Sequence, residues 1–184
     1  MRRSAGAAVA AAALSAIGFA TALPAATAPA PAQPHLTLPS PWRPVSGLPR
    51  STDFTYVAQW VLPNGEPDPA PSALHYVSVK VKPLDEGGLG GYVADAVASL
   101  TSSHQATNAK YAQIESCVRP AWIVTFDATV NGSPRSFEEV DMTFRSTLYE
   151  AEYNRPAGQA VEPTAHAALL AFCASVPPHR SANS

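Results

Sequence analysis

Apolar and polar positions alternate most regularly between Trp122 and Tyr153. Trp122, Val124, Phe126, Ala128 and Val130 interleave with Ile123, Thr125, Asp127 and Thr129, and Asn131-Gly132 then supplies a tight turn. Val140, Met142 and Phe144 interleave with Glu139, Asp141, Thr143 and Arg145, and in Leu148 to Tyr153 the residues Tyr149, Ala151 and Tyr153 interleave with Glu150 and Glu152. A period of two predicts three antiparallel strands, each with one buried and one solvated face. Two earlier strands are predicted at Thr55 to Leu62 and His75 to Val81. In the second, Tyr76, Ser78, Lys80 and Lys82 form the wet side and His75, Val77, Val79 and Val81 the buried one.

Helical spacing occurs twice. Leu89, Tyr92 or Val93, Ala96 and Leu100 make one stripe, preceded by Asp85-Glu86, which suits the positive end of a helix, and by Gly87-Gly88, a flexible lead-in. Near the C-terminus Pro163 fits a first helical position, Ala165, Leu169 and Phe172 form the buried stripe with Leu170 and Cys173 alongside, and Pro177-Pro178 stops the helix. Between the two early strands the run Pro63, Asn64, Gly65, Glu66, Pro67, Asp68, Pro69, Ala70 and Pro71 is too proline-rich for strand or helix and reads as a stiff acidic loop. His35 to Leu38 reads as a short extended segment. Trp42, beside Pro39-Ser40-Pro41, reads as a lid on the edge of the core.

The N-terminus changes the picture. Met1-Arg2-Arg3 followed by an uncharged, alanine-rich run to Ala22 has the layout of a secretory signal peptide, with cleavage expected after Ala22, or alternatively after Ala28. Residues 23–34, mostly Ala, Pro and Thr, are expected to be a disordered spacer, residues 35–177 one folded domain and residues 178–184 a loose tail. The chain of 184 residues carries a formal charge of −2, and loss of Arg2 and Arg3 leaves ten basic against fourteen acidic residues. A mildly acidic protein is a poor match for nucleic acid. No other apolar run reaches the length of a membrane span, so no membrane insertion is expected once the leader is removed. The expected location is exported, either periplasmic or secreted.

That compartment bears on the two cysteines, Cys117 and Cys173, which have a single possible pairing there. Bridging them closes a loop of about 57 residues, worth roughly 4 kcal/mol in the chain-entropy account. The alternatives are two free buried thiols, or a redox pair that would lack C-x-x-C spacing.

Leu38-Pro39-Ser40-Pro41-Trp42 near the domain start, a helix after the early strands, Pro120-Ala121-Trp122 opening a strand, and Leu148-Tyr149-Glu150-Ala151-Glu152-Tyr153 ahead of a terminal helix together resemble the PsbP/Mog-like family. The resemblance implies an α+β fold: an α/β/α sandwich with a central antiparallel sheet flanked by helices. It also implies binding of partners rather than catalysis.

The chain offers little recognisable chemistry. It has no G-x-S-x-G elbow, no phosphate loop and no H-E-x-x-H, and His35, His75, His104, His166 and His179 are scattered. Asp127, Glu139, Asp141, Glu150 and Glu152 can gather on one sheet face, to bind calcium or act as an acid/base pair. Their alternation is equally that of a solvated face, unless a helix covers it. No catalytic residues, metal or cofactor are therefore expected. The leading reading is a non-catalytic module that binds a protein in the envelope or outside the cell through the Pro63 to Pro71 loop and nearby sheet edges. A small-ligand carrier with a groove near Trp60, Trp122, Tyr149 and Tyr153 is the alternative, and a hydrolase a third reading.

Overall fold

The computed structural model describes residues 33–63, 76–84 and 88–175. Among these residues seven strands form one antiparallel sheet: β1 (Arg43–Pro44), β2 (Thr55–Val61), β3 (Tyr76–Pro83), β4 (Ala106–Gln113), β5 (Ala121–Val130), β6 (Ser133–Thr143) and β7 (Thr147–Pro156). Their spatial order is β1-β2-β3-β7-β6-β5-β4. The two helices are α1 (Leu89–Ser102) and α2 (Pro163–Phe172), the latter running into a 3-10 turn at Cys173–Ser175. The leader, most of the spacer, Asn64 to Pro71, Asp85-Glu86 and the C-terminal tail lie outside the described residues.

Cross-strand register decides which face each side chain takes. Val140 sits opposite Ala151 and Ile123, and Met142 opposite Tyr149 and Ala121. These residues and Tyr153 build the larger core, closed by Ala165, Leu169, Phe172 and Cys173 at the end of the chain. That cluster defines the α2 face. Val124, with Trp122 and Phe126 beside it, points the other way, and Leu148 joins it under Leu89, Val93 and Val97 of α1. The sheet therefore lies between two helices, an α+β sandwich of three layers.

Local chemistry explains the helix positions. Glu162 caps α2, its side chain accepting from the backbone N–H of Ala165 at 2.7 Å, and Pro163 occupies the first turn. Ala165, Leu169 and Phe172 face the sheet as expected, whereas Leu170 does not belong to the buried stripe; it is 37 % exposed. At the front of the domain Leu36 and Trp42 are buried, and the indole of Trp42 meets Tyr153 edge-on and donates to the Thr164 hydroxyl. The hairpin β5–β6 turns on Asn131 and Gly132, both at positive φ. Cys117, just before β5, is bridged to Cys173 with the Cα atoms 5.6 Å apart. No helix among the described residues is long and apolar enough to cross a membrane.

Candidate functional site

The expectation of one buried and one solvated sheet face is not met on the acidic side. The apolar alternates of β5 and those of β6 fall on opposite faces, so both faces carry apolar residues and each acquires a helix. The register lines up Lys80, Glu150, Asp141 and Trp122 across β3, β7, β6 and β5. The neighbouring row holds Glu152, Glu139 and Val124. All of these side chains point toward α1. The helix docks on Val124 and Leu148 and roofs the charges beside them.

Lys80 lies at the centre of this assembly. Its Nζ is 2.7 Å from Glu152, 3.2 Å from Glu139 and 3.4 Å from Glu150. From the roof, the Tyr92 hydroxyl donates to Glu150 Oε1 at 2.8 Å, and the Lys82 ammonium sits 4.0 Å above the Tyr92 ring. Asp141 and Glu150 are 1 % and 2 % exposed, and Lys80 is also buried. Asp141 Oδ1 has no hydrogen-bond partner among the described residues; the same holds for Thr143 Oγ1 and both amide atoms of Gln59.

The electrostatic consequences follow from burial. Desolvation, aided by Glu150 and Glu152 and opposed by Lys80, pushes the Glu139 carboxyl up to about 8. Desolvation and then Glu139 and Glu150 hold Asp141 well above the usual carboxylate range. Burial by itself would lower Lys80, but the carboxylates of Glu152, Glu139 and Glu150 outweigh it and hold the ammonium well above its ordinary value. Burial and the neighbouring Glu150 likewise raise the Tyr92 phenol. The assembly can store protons or hold a cation. Tyr92 of α1 lies over Glu150, and the Phe54 ring lies 5.1 Å from Lys80 Nζ.

Four of the five carboxylates singled out from the sequence thus converge, and the fifth does not. Asp127 lies on the α2 face, where Asn108 Nδ2 donates to it at 2.8 Å and Ser136 Oγ at 2.6 Å. These bonds hold its carboxyl below the usual range. Lys80, expected on a wet face, is instead the pivot of the cluster. The resemblance implied helices flanking the sheet, but the alternation of the acids carried no signal that α1 would lie over them, since it docks through apolar residues of β5 and β7. On the α2 face, His166 Nδ1 lies 2.7 Å from Glu138 Oε2, and Arg155 Nη1 3.2 Å from Glu138 Oε1, a triad the scattered histidines did not suggest.

The expected aromatic groove is not assembled. Trp60, Tyr149 and Tyr153 belong to the core under α2, while Trp122 is on the opposite face against Tyr111, with ring centroids 5.7 Å apart. A different groove of about 520 Å³ opens past the C-terminal end of α1. Its floor contains Phe126 and Phe137, stacked 4.6 Å apart, and Leu100, His104 and Arg135 are among its walls. The proposed partner loop is described only at Pro63; Asn64, Gly65, Glu66, Pro67, Asp68, Pro69 and Pro71 lie outside the described residues.

No protein-family model matches the chain, and no curated protein matches it. Among solved structures it is similar to LpqN, described as involved in cell envelope biogenesis of Mycobacterium tuberculosis. That likeness has 13 % sequence identity and a TM-score of 0.47, covering 73 % of this chain and 78 % of that one.

Proposed function

We propose that this chain is an exported, non-catalytic binding module of the PsbP/Mog-like kind, with a protein partner in the envelope or outside the cell. The observation that carries the reading is the closure of the charged assembly beneath α1. The residues best suited to acid/base work, Asp141 and Glu150, are almost without exposure, which supports a role within the fold over one on a substrate. Recognition then falls to the surface, with the Pro63 to Pro71 loop and the sheet edge beside it as the contact. Affinity capture of the exported protein from its own envelope fraction tests this, with a loop-deleted variant beside it. Capture of one defined partner that is lost with the loop supports the reading. Turnover of a substrate by the purified protein, abolished by Glu150→Ala without unfolding, would overturn it.

A small-ligand carrier is the second reading, favoured by the groove over Phe126 and Phe137. Saturable binding of an apolar fluorescent probe, weakened by Phe126→Ala, supports it. Binding unchanged by that substitution removes it.

A further inference from the structure

The charged assembly has more acids than its resident cation can satisfy. Glu139, Asp141, Glu150 and Glu152 supply four carboxylates, and Lys80 is the ammonium bonded among them. Lys82, the next cation on β3, lies over the Tyr92 ring. Lys80 is drawn to one side, closest to Glu152 and more distant from Glu139 and Glu150. Asp141 is left over. Its Oδ1 is buried without a hydrogen-bond partner among the described residues, and its carboxylate stands close to those of Glu139 and Glu150: one oxygen from each of the three lies within 4.8 Å of the others. The Thr143 hydroxyl, also buried and unpartnered, follows two residues along the same strand face. A buried carboxylate oxygen without a donor is costly to keep, and the cost is removed by a bound cation.

We propose that Glu139, Asp141 and Glu150 form a binding site for a divalent hard cation of the calcium class beneath α1. All donors are oxygens, which excludes a preference for soft metals. Calcium bonds oxygens at about 2.3–2.6 Å in flexible geometry, which suits three carboxylate oxygens lying within 4.8 Å of one another, whereas magnesium demands a near-ideal octahedron and gives up its water reluctantly. With Lys80 kept on Glu152, a divalent ion offsets two of the three negative charges that the four carboxylates carry in excess of Lys80 when all are ionised, and so takes the place of bound protons. The site goes beyond the binding reading above and does not depend on it.

The test uses the mature protein refolded from urea with and without the ion, so that burial does not block loading. Trp122 stands opposite Asp141 in the register and serves as an antenna for terbium, a calcium surrogate. Tryptophan-sensitised terbium emission that calcium competes away, together with a rise in Tm at about 1 mM calcium, is the expected result. Asp141→Asn abolishes both, Trp122→Phe abolishes the emission but keeps the rise in Tm, and Asp127→Asn, on the other face, keeps both. Asp141→Asn replaces the carboxyl with a neutral group of the same size and so leaves a folded protein to assay. Absence of emission and of any calcium-dependent Tm shift in the refolded parent protein, or responses unchanged by Asp141→Asn, would overturn the proposal and leave bound protons as the neutralising species.

Discussion

Removing the bridge between Cys117 and Cys173 is expected to cost as much as a large core truncation on the same face. The bond ties the segment ahead of β5 to the end of α2, across a sequence separation of 56 residues. In the chain-entropy account a loop of that length gives about 14 cal/mol/K, or about 4 kcal/mol at 25 °C. Cys173 is buried beside Leu169 and Phe172, so replacing both cysteines by alanine adds only a small packing loss to this figure. A domain of this size shifts by about 2–4 °C per kcal/mol, which converts the loss into a Tm lower by roughly 8–16 °C. Urea unfolding of the double alanine variant is the direct assay. Its midpoint should fall and its m-value rise, because the uncrosslinked denatured chain exposes more surface. A loss below about 1 kcal/mol with an unchanged m-value would refute the reasoning, since the bridge would then be constraining neither state.

Tyr92→Phe removes the donor that reaches from α1 to Glu150 and should cost about 1–3 kcal/mol, with faster amide exchange concentrated in α1. Leu169→Ala opens a cavity between α2 and the sheet and should cost about 2–5 kcal/mol in urea unfolding, with Leu170→Ala, at a partly exposed position, costing far less. Stability without added cations should depend on pH through Glu139. Its carboxyl is pushed up to about 8 when folded against an ordinary value of 4.5, so between those limits the folded state holds the extra proton. The contribution is therefore complete below about pH 4.5, falls as pH rises and is gone above about pH 8, and Glu139→Gln should flatten that slope in pH-dependent unfolding.

The strands β5, β6 and β7 were legible because each alternates cleanly, and both helices because their apolar stripes are short and bounded by glycine or proline. β4 was not. Ala106–Gln113 forms an edge strand exposed over most of its length, so it has no buried set to alternate with a polar one. The turn between β6 and β7 carries no glycine; Arg145 and Ser146 adopt positive φ themselves, and only the strands on either side revealed it. For the charged assembly, the spacing of Glu139, Asp141, Glu150 and Glu152 placed them on one face of their strands. What the spacing did not contain was the strand order that brings Lys80 into the same row, or the fact that β5 turns its aromatic residues toward those acids and so attracts α1. Both are properties of register between strands distant in sequence. Local periodicity is blind to them.

The strand order also dictates a sequence of events when the chain is made from its N-terminus. β2 and β3 can form a hairpin early, but the inner edge of β3 is answered only by β7, the last strand to emerge. Until then Lys80 has no Glu150 or Glu152 to meet, α1 has no Leu148 to rest on, and the N-terminal strands are half of an open sheet. Closing a sheet through partners so far apart is slow compared with closing a hairpin. Truncation anywhere before Tyr153 thus leaves two fragments' worth of unpaired edge instead of a smaller folded protein.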